Sequence, residues 1–184
     1  MEDFIKRYNI GFIYFTDENF GTSPEWLYPF LEMIKKFDIL WGVGGIRVNI
    51  IDEKSLKMMY EAGCTSVAYG TETGSEKMLL IMQKKVKLED NYKITKITPA
   101  ANLYYAPQMV VGMPGETQET IEETSKFLEA VYSEDEFYHP AALSLNYAQA
   151  LPGTPLYESG RIKGLIEPTI DGEERYLLKV SNKN

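Results

Sequence analysis

The chain has 184 residues, 44% of them apolar and 25% charged, with a net charge of −8. This is enough chain for one domain with a real core, and the acidic balance argues against nucleic-acid binding, which depends on Lys and Arg neutralising phosphates. With one cysteine, Cys64, and one histidine, His139, the chain cannot form an internal disulfide or supply the several ligands of a zinc or iron–sulfur site.

No apolar run is long enough to span a bilayer, and the start, Met-Glu-Asp-Phe-Ile-Lys-Arg, lacks a signal-peptide core, so no membrane partner and a cytoplasmic setting are expected. A magnesium or calcium site built from carboxylates stays open. Cys64, after Ala62-Gly63 and before an apolar stretch, reads as a small core residue. His139, beside Pro140, reads as a surface loop residue.

The apolar run Ile10 to Phe15 predicts a strand covered on both faces. Ser23-Pro24-Glu25 opens a helix, with Leu27, Phe30, Leu31, Ile34 and Phe37 as its buried stripe and Pro29 in its second turn. A second strand is expected within Ile39 to Ile51, centred on Ile46–Asn49, with Gly42, Gly44 and Gly45 before it marking a bend or a close backbone approach. Asp52 caps the next helix, whose stripe is Leu56, Met59 and Tyr60 and which Gly63 ends. Thr65 to Tyr69 is a third strand, and Ser75 caps a helix with Met78, Leu79 and Met82 on one face. Ile94 and Ile97 suit a helix that Pro99 should stop.

Leu103 to Val111 is the fourth strand, and a helix follows from about Gln118 to Tyr132, with Ile121, Thr124, Leu128 and Val131 inward. Ala142 to Ala148 is the fifth strand, and a short helix is expected at Pro155 to Ser159. The tail from about 163 is mixed, with a strand or a surface helix at Tyr176 to Val180. Strands alternating with helices predict parallel pairing with right-handed crossovers, in a sheet that is open or curved into part of a barrel.

In such sheets chemistry gathers at the carboxyl ends of the strands. Those ends carry Asp17 and Glu18; Arg47 and Asn49; Thr71, Glu72 and Thr73; Gly112, Gly115 and Glu116; and Asn146, Tyr147 and Gln149. Some of these carboxylates lie near helix starts, where negative charge is favoured by about 0.3–1 kcal/mol without any function. The recurrence of polar groups on one rim favours a shared small-molecule site. Its carboxylates suit an amino group, a ribose diol or a metal. The turn Gly112-Met113-Pro114-Gly115-Glu116-Thr117 allows close approach of a ligand, although it also reads as a plain capped connection. No nucleophile–base pair stands at recognisable spacing.

Five segments in this order resemble the radical S-adenosylmethionine enzymes: Ile13–Phe20, Ile46–Val48, Glu61–Ser75, Val111–Thr117 and Leu151–Tyr157. The likeness is to the branch that often carries a cobalamin-binding domain and includes anaerobic magnesium-protoporphyrin ester cyclases. It implies an α/β fold, an incomplete (β/α) barrel of about five parallel strands. It also implies an Fe-S oxidoreductase in which a 4Fe-4S cluster reduces S-adenosylmethionine (SAM) to release a 5′-deoxyadenosyl radical that acts on a small-molecule substrate. The family's cluster loop, C-x-x-x-C-x-x-C, is absent, and Cys64 matches a helix-to-strand position. The resemblance therefore implies a single-domain fragment, residues 1–184, holding barrel strands two to six and inactive as given.

By the same likeness Asp17 and Glu18 stand where the methionine amino group is contacted, without the family's usual glycines. Glu72 matches the Glu of Gly-x-Glu-Ser-Gly that meets the ribose or methionine, with Thr73 in place of Ser. Gly112 to Glu116, including Gly115, borders the adenine, and Arg47 meets the methionine carboxylate. Without the family's first strand, Ile10–Phe15 becomes a free apolar edge that invites homo-oligomer pairing. Two other readings stay open: a cluster-free ligand-binding or interaction domain, and a barrel enzyme with Gly112–Glu116 as a phosphate cradle.

Overall fold

The computed structural model describes residues 1–17, 19–132 and 143–181. The elements run α1 (Glu2–Tyr8), β1 (Phe12–Thr16), α2 (Pro24–Ile34), β2 (Leu40–Ile46), α3 (Glu53–Glu61), β3 (Cys64–Glu72), α4 (Glu76–Ile81), α5 (Leu88–Ala100), β4 (Tyr104–Val111), α6 (Gln118–Tyr132), β5 (Ser144–Tyr147), α7 (Pro155–Ile162) and α8 (Ile170–Ser181). The strands stand in the order β1-β2-β3-β4-β5, and β1 to β4 pair in parallel. This is the incomplete α/β barrel that the resemblance implies, one of the two sheet forms that the strand–helix alternation leaves open. The chain divides into two compact units, Met1–Asn146 and Tyr147–Asn184.

In the first unit one face of the sheet meets the helices. Trp41, Val43, Val67, Tyr69, Tyr105 and Met109 pack there against Leu27, Leu31, Leu56, Met59, Ile94 and Phe127. The period-two alternation of a strand puts the remaining residues on the other face, where Phe12, Tyr14, Leu40 and Tyr104 are all exposed. Cys64 is buried in the core, as expected.

Several local expectations change. β2 lies earlier than 46–49, and its glycines are inside the strand. The reason is packing: a Cβ on Gly42 would stand 2.6 Å from Ser66 Oγ and 2.9 Å from Tyr14 Cδ2. Glycine there lets the Tyr14 ring lie against the strand, which is the close approach, and the register against β3 shifts between Val43 and Ile46, where Gly45 takes φ 79, which is the bend. α2 continues through Pro29, which sits inside the helix. Pro99 lies in the last turn of α5, and the end is made by Asn102, left-handed at φ 60, with its N–H on Pro99 C=O at 2.8 Å.

Asp52 caps α3 as expected, accepting the Ser55 N–H at 2.8 Å, but Tyr60 is exposed and the buried set is Ser55, Leu56 and Met59. In α6 the stripe has the expected period and a shifted phase. Ile121 is exposed, while Thr120, Phe127 and Val131 are buried. Thr120 tolerates burial because its hydroxyl donates to Thr117 C=O at 2.9 Å.

α1 was not expected from the sequence, and it buries no residue. In the second unit, Thr154 caps α7 by accepting the Tyr157 N–H at 3.2 Å. Tyr157 and Ile166 are buried, and the stretch from Tyr176 is helical, within α8. His139 lies outside the described residues.

Candidate functional site

The segment Gly70-Thr71-Glu72-Thr73-Gly74-Ser75 is tied down residue by residue. A Cβ on Gly70 would stand 2.9 Å from Glu72 Oε1, so the glycine makes room for that carboxylate. Thr71 shares a 3.0 Å hydrogen bond with the Tyr105 hydroxyl from β4. Glu72 takes φ 65, and Thr73 N–H donates to Thr71 C=O at 2.8 Å. That is the bond pattern of a γ-turn centred on Glu72. A left-handed non-glycine residue in such a bend costs about 1–3 kcal/mol and persists only where neighbours hold it.

The neighbours are visible. Thr73 and Thr124 share a 2.9 Å bond, and Gly74 N–H donates to Thr124 Oγ1 at 3.1 Å. A Cβ on Gly74 would stand 2.4 Å from Phe127 Cβ and 2.8 Å from Thr124 Cα, so α6 seats directly on this glycine. The Ser75 side chain makes no capping bond; its own N–H donates to Thr73 Oγ1 at 3.1 Å.

The bend carries Glu72 into a cavity of about 560 Å³ at the carboxyl ends of β2, β3 and β4. Its volume is in the range of small-molecule sites. Gly45, Arg47, Gly70, Glu72, Lys84 and Gln108 are among its lining residues, with Asn19 at the end of the β1 loop. Glu72 pairs with Lys84 at 2.6 Å, and its side chain is 13% exposed against 43% for Lys84. Arg47 Nη2 donates to Lys84 C=O at 3.1 Å, and Asn49 Nδ2 donates to Lys85 C=O at 3.4 Å. The loop after α4 is thereby folded back over the strand ends, with Gln83 and Lys85 both at positive φ. The cavity thus brings one shielded carboxylate together with three cationic side chains, Arg47, Lys84 and Lys85, and the amides of Asn19, Gln83 and Gln108.

Of the residues singled out in the sequence, Arg47 and Glu72 meet in this cavity. Asp17 uses Oδ1 to accept the Asn19 N–H at 3.1 Å, and Asn19, not Asp17, is among the lining residues. Glu18 lies outside the described residues. Gly112, Gly115 and Glu116 are not among the lining residues. There the Glu116 carboxylate accepts the Gly112 N–H at 2.7 Å, and Thr117 N–H donates to Thr120 Oγ1 at 2.9 Å. A phosphate cradle needs such N–H groups free. Here two are committed, one of them to a carboxylate, which weighs against the phosphate reading. Lys84, Gln108 and Asn19 went unmarked in the sequence.

Iron does not fit these residues. Cys64 is 2% exposed, and its Sγ donates to Ser66 C=O at 3.6 Å. Burial pushes its thiol up to about 12, the opposite of what a thiolate ligand needs. Among the described residues no group of three or more His, Cys, Asp or Glu is placed to hold a metal ion, and no helix is long and apolar enough to cross a membrane.

Comparison with known proteins gives a consistent result. The family model of the Radical SAM superfamily matches residues 1–128. The sequence is 30% identical over 129 residues to an anaerobic magnesium-protoporphyrin IX monomethyl ester cyclase of Rubrivivax gelatinosus, a match covering 68% of this chain and 23% of the relative. It is also 30% identical over 159 residues to an uncharacterized methyltransferase of Pyrococcus horikoshii, covering 83% of this chain and 32% of the relative.

Among solved structures, TsrM from Kitasatospora setae, a radical S-adenosylmethionine methyltransferase with cobalamin and a 4Fe-4S cluster bound, superposes with a TM-score of 0.72. That match is 18% identical and covers 91% of this chain and 33% of TsrM, a likeness of fold. The chain thus spans 23% to 33% of the length of these three proteins.

Proposed function

The chain belongs to the radical SAM superfamily, and on that premise we propose that it forms the SAM-binding wall of an Fe-S oxidoreductase barrel. The observation that carries this reading is Glu72, bent into a cavity whose other charged side chains are cationic. Glu72 receives the methionine ammonium or the ribose diol. Arg47 and Lys84 face the methionine carboxylate, and Gln108 offers an amide to the sugar. By the family resemblance Gly112 to Glu116 is a packing wall along the adenine and Asp17 and Glu18 border the methionine end; Asp17, Gly112, Gly115 and Glu116 stand outside the cavity lining, so these roles rest on that resemblance alone. The substrate of the whole protein is a small molecule, and its surroundings are cytoplasmic.

The radical step belongs to the whole protein. The three thiolates of a cluster site are not among these 184 residues, so this chain alone binds without turning over. A cobalamin requirement would likewise belong to the whole protein. A cluster-free ligand-binding domain is the second reading, favoured by the single, deeply buried cysteine. Iron and sulfide reconstitution of the whole gene product separates the two: the enzyme reading requires a cluster, and its absence there leaves the binding domain.

Calorimetry on the 184-residue chain tests the wall itself. SAM should bind with Kd on the order of 0.1 mM, about −5.5 kcal/mol, and a sugar phosphate should not bind. Equal binding of both would end the proposal.

The free side of β1 suggests self-association. Gly11 C=O accepts the Leu40 N–H at 3.1 Å, so residues 11, 13 and 15 point their polar groups at β2. By strand alternation Phe12, Tyr14 and Thr16 point theirs outward. A second copy pairing along this edge would be detected by sedimentation. Phe12→Lys, at a half-exposed position, should shift the chain to monomer, and an unchanged mass would remove the edge from the interface.

A further inference from the structure

β3 does not run straight into the site. Its register against β4 breaks between Gly70 and Glu72, which pair with the consecutive residues Gln108 and Met109. Thr71 is the extra residue of a bulge, and bulges re-aim side chains at the cost of ladder bonds. The Thr71 carbonyl takes the Thr73 N–H of the γ-turn at 2.8 Å, which leaves its second lone pair and the Thr73 carbonyl facing a buried place that has to offer donors. Asn91 of α5 supplies them. Its Nδ2 donates to Thr71 C=O and to Thr73 C=O, each at 3.1 Å, and the residue has no exposed surface. Two carbonyl acceptors require the NH₂ end of the amide, so the orientation is fixed by chemistry.

Serine or threonine would bring one donor, and aspartate none when ionised. A single side-chain nitrogen that spans both carbonyls clamps the two peptide units that flank the bend. Apart from the γ-turn bond from Thr73 N–H to Thr71 C=O, which closes the bend from within, the other ties on this segment act elsewhere: Tyr105 holds the Thr71 side chain, and Thr124 holds the Thr73 side chain and the Gly74 N–H.

We propose that Asn91 is a positioning residue for Glu72: by tying the carbonyls of residues 71 and 73 it holds the bend that lays the Glu72 carboxylate over Gly70 and against Lys84. The proposal rests on the reading of this cavity as a ligand site for its consequence, and on the Glu72–Lys84 pair for its geometry. The two parts can be measured separately.

The first readout needs no ligand. Lys84 in the intact chain is acylated with a limiting amine-reactive ester and quantified by peptide mass spectrometry against the exposed Lys57. Glu72→Gln sets the scale by removing the anionic partner, and it should raise Lys84 labelling severalfold. Asn91→Leu should raise it to a similar level. Tyr69→Phe, which removes the buried 2.9 Å bond to Thr98, serves as a control of comparable burial and should leave Lys84 at the wild-type level.

The second readout is SAM affinity, which Asn91→Leu should lower about tenfold (~1.4 kcal/mol) and Tyr69→Phe should not change. Should Asn91→Leu fail to fold, Asn91→Ser carries the same two readings. Lys84 labelling in the Asn91 variants equal to that in Tyr69→Phe would overturn the proposal, as would labelling that ignores Glu72→Gln. Labelling that follows Asn91 in a chain that binds no SAM would support the positioning role and sink the ligand reading alone.

Discussion

Two strand ends of this molecule carry nearly the same residues and use them in opposite ways. β3 ends in Gly70-Thr71-Glu72 and runs on into Thr73-Gly74; after β4 comes Gly-Met-Pro-Gly-Glu-Thr. At β3 the backbone is bent and braced from α5, α6 and β4 so that Glu72 reaches out of its own segment to Lys84. At β4 the carboxylate returns to its own turn, Glu116 to Gly112 N–H. A glutamate beside glycines at a strand end is therefore not one feature but two. Which one it is depends on whether its own backbone offers a nearby N–H. Where it does, the carboxylate is a cap; where distant groups occupy the backbone, the carboxylate is left for a partner.

The glycines give the largest expected contrast. Gly74→Ala drives a Cβ into Phe127 Cβ and the Thr124 backbone, with no flexible group to yield. It should cost about 3 kcal/mol, the upper end for overpacking, and lower Tm by roughly 6–12 °C. Gly115→Ala meets only the end of the Ile81 side chain, at 2.9 Å, though at φ +91. Ile81 can rotate aside, so the cost should be the backbone strain alone, about 1–2 kcal/mol. Thermal unfolding of the two variants decides it. Equal losses would mean that the β4 turn is as closely braced as the β3 end.

Next comes the ligand. Glu72→Gln keeps the shape and removes the charge, and SAM affinity should fall about tenfold (~1.4 kcal/mol). An unchanged Kd would leave the cavity without its anionic contact and return the site to a structural ion pair.

How much of this could be read beforehand follows from the forces involved. The strand–helix alternation reflects local patterning, so the fold class was legible, as was the Asp52 cap. Glycines lower the strand propensity of 42–45, so the sequence centres β2 too late; the Tyr14 ring that Gly42 and Gly44 accommodate is on another strand and leaves no local signal. The expected α6 stripe took Ile121 as inward, whereas the buried residue of that turn is Thr120, whose hydroxyl is satisfied by Thr117 C=O.

Arg47 and Glu72 were legible as charges at strand ends. Lys84 was not: it sits in the run Lys84-Lys85-Val86-Lys87, and no spacing tells which lysine the loop turns inward. Asn91 did leave a signal. It shares a helical face with Ile94, Thr95 and Thr98, all buried, and a polar residue at a core position of a stripe has to be serving some buried group.

The smallest effect is the most discriminating. Glu116→Gln keeps an acceptor oxygen within reach of Gly112 N–H and loses only the charge on an exposed bond. The turn should survive at a cost of about 0.5 kcal/mol. If the carboxylate is a cap, the backbone wall it supports is unaltered, and SAM affinity should stay within about twofold, roughly 0.4 kcal/mol. Calorimetry on this variant beside Glu72→Gln therefore tests the division of labour directly. A loss at Glu116 as large as at Glu72 would mean that the carboxylate leaves Gly112 when ligand arrives. The two strand ends would then be one site with two anionic arms.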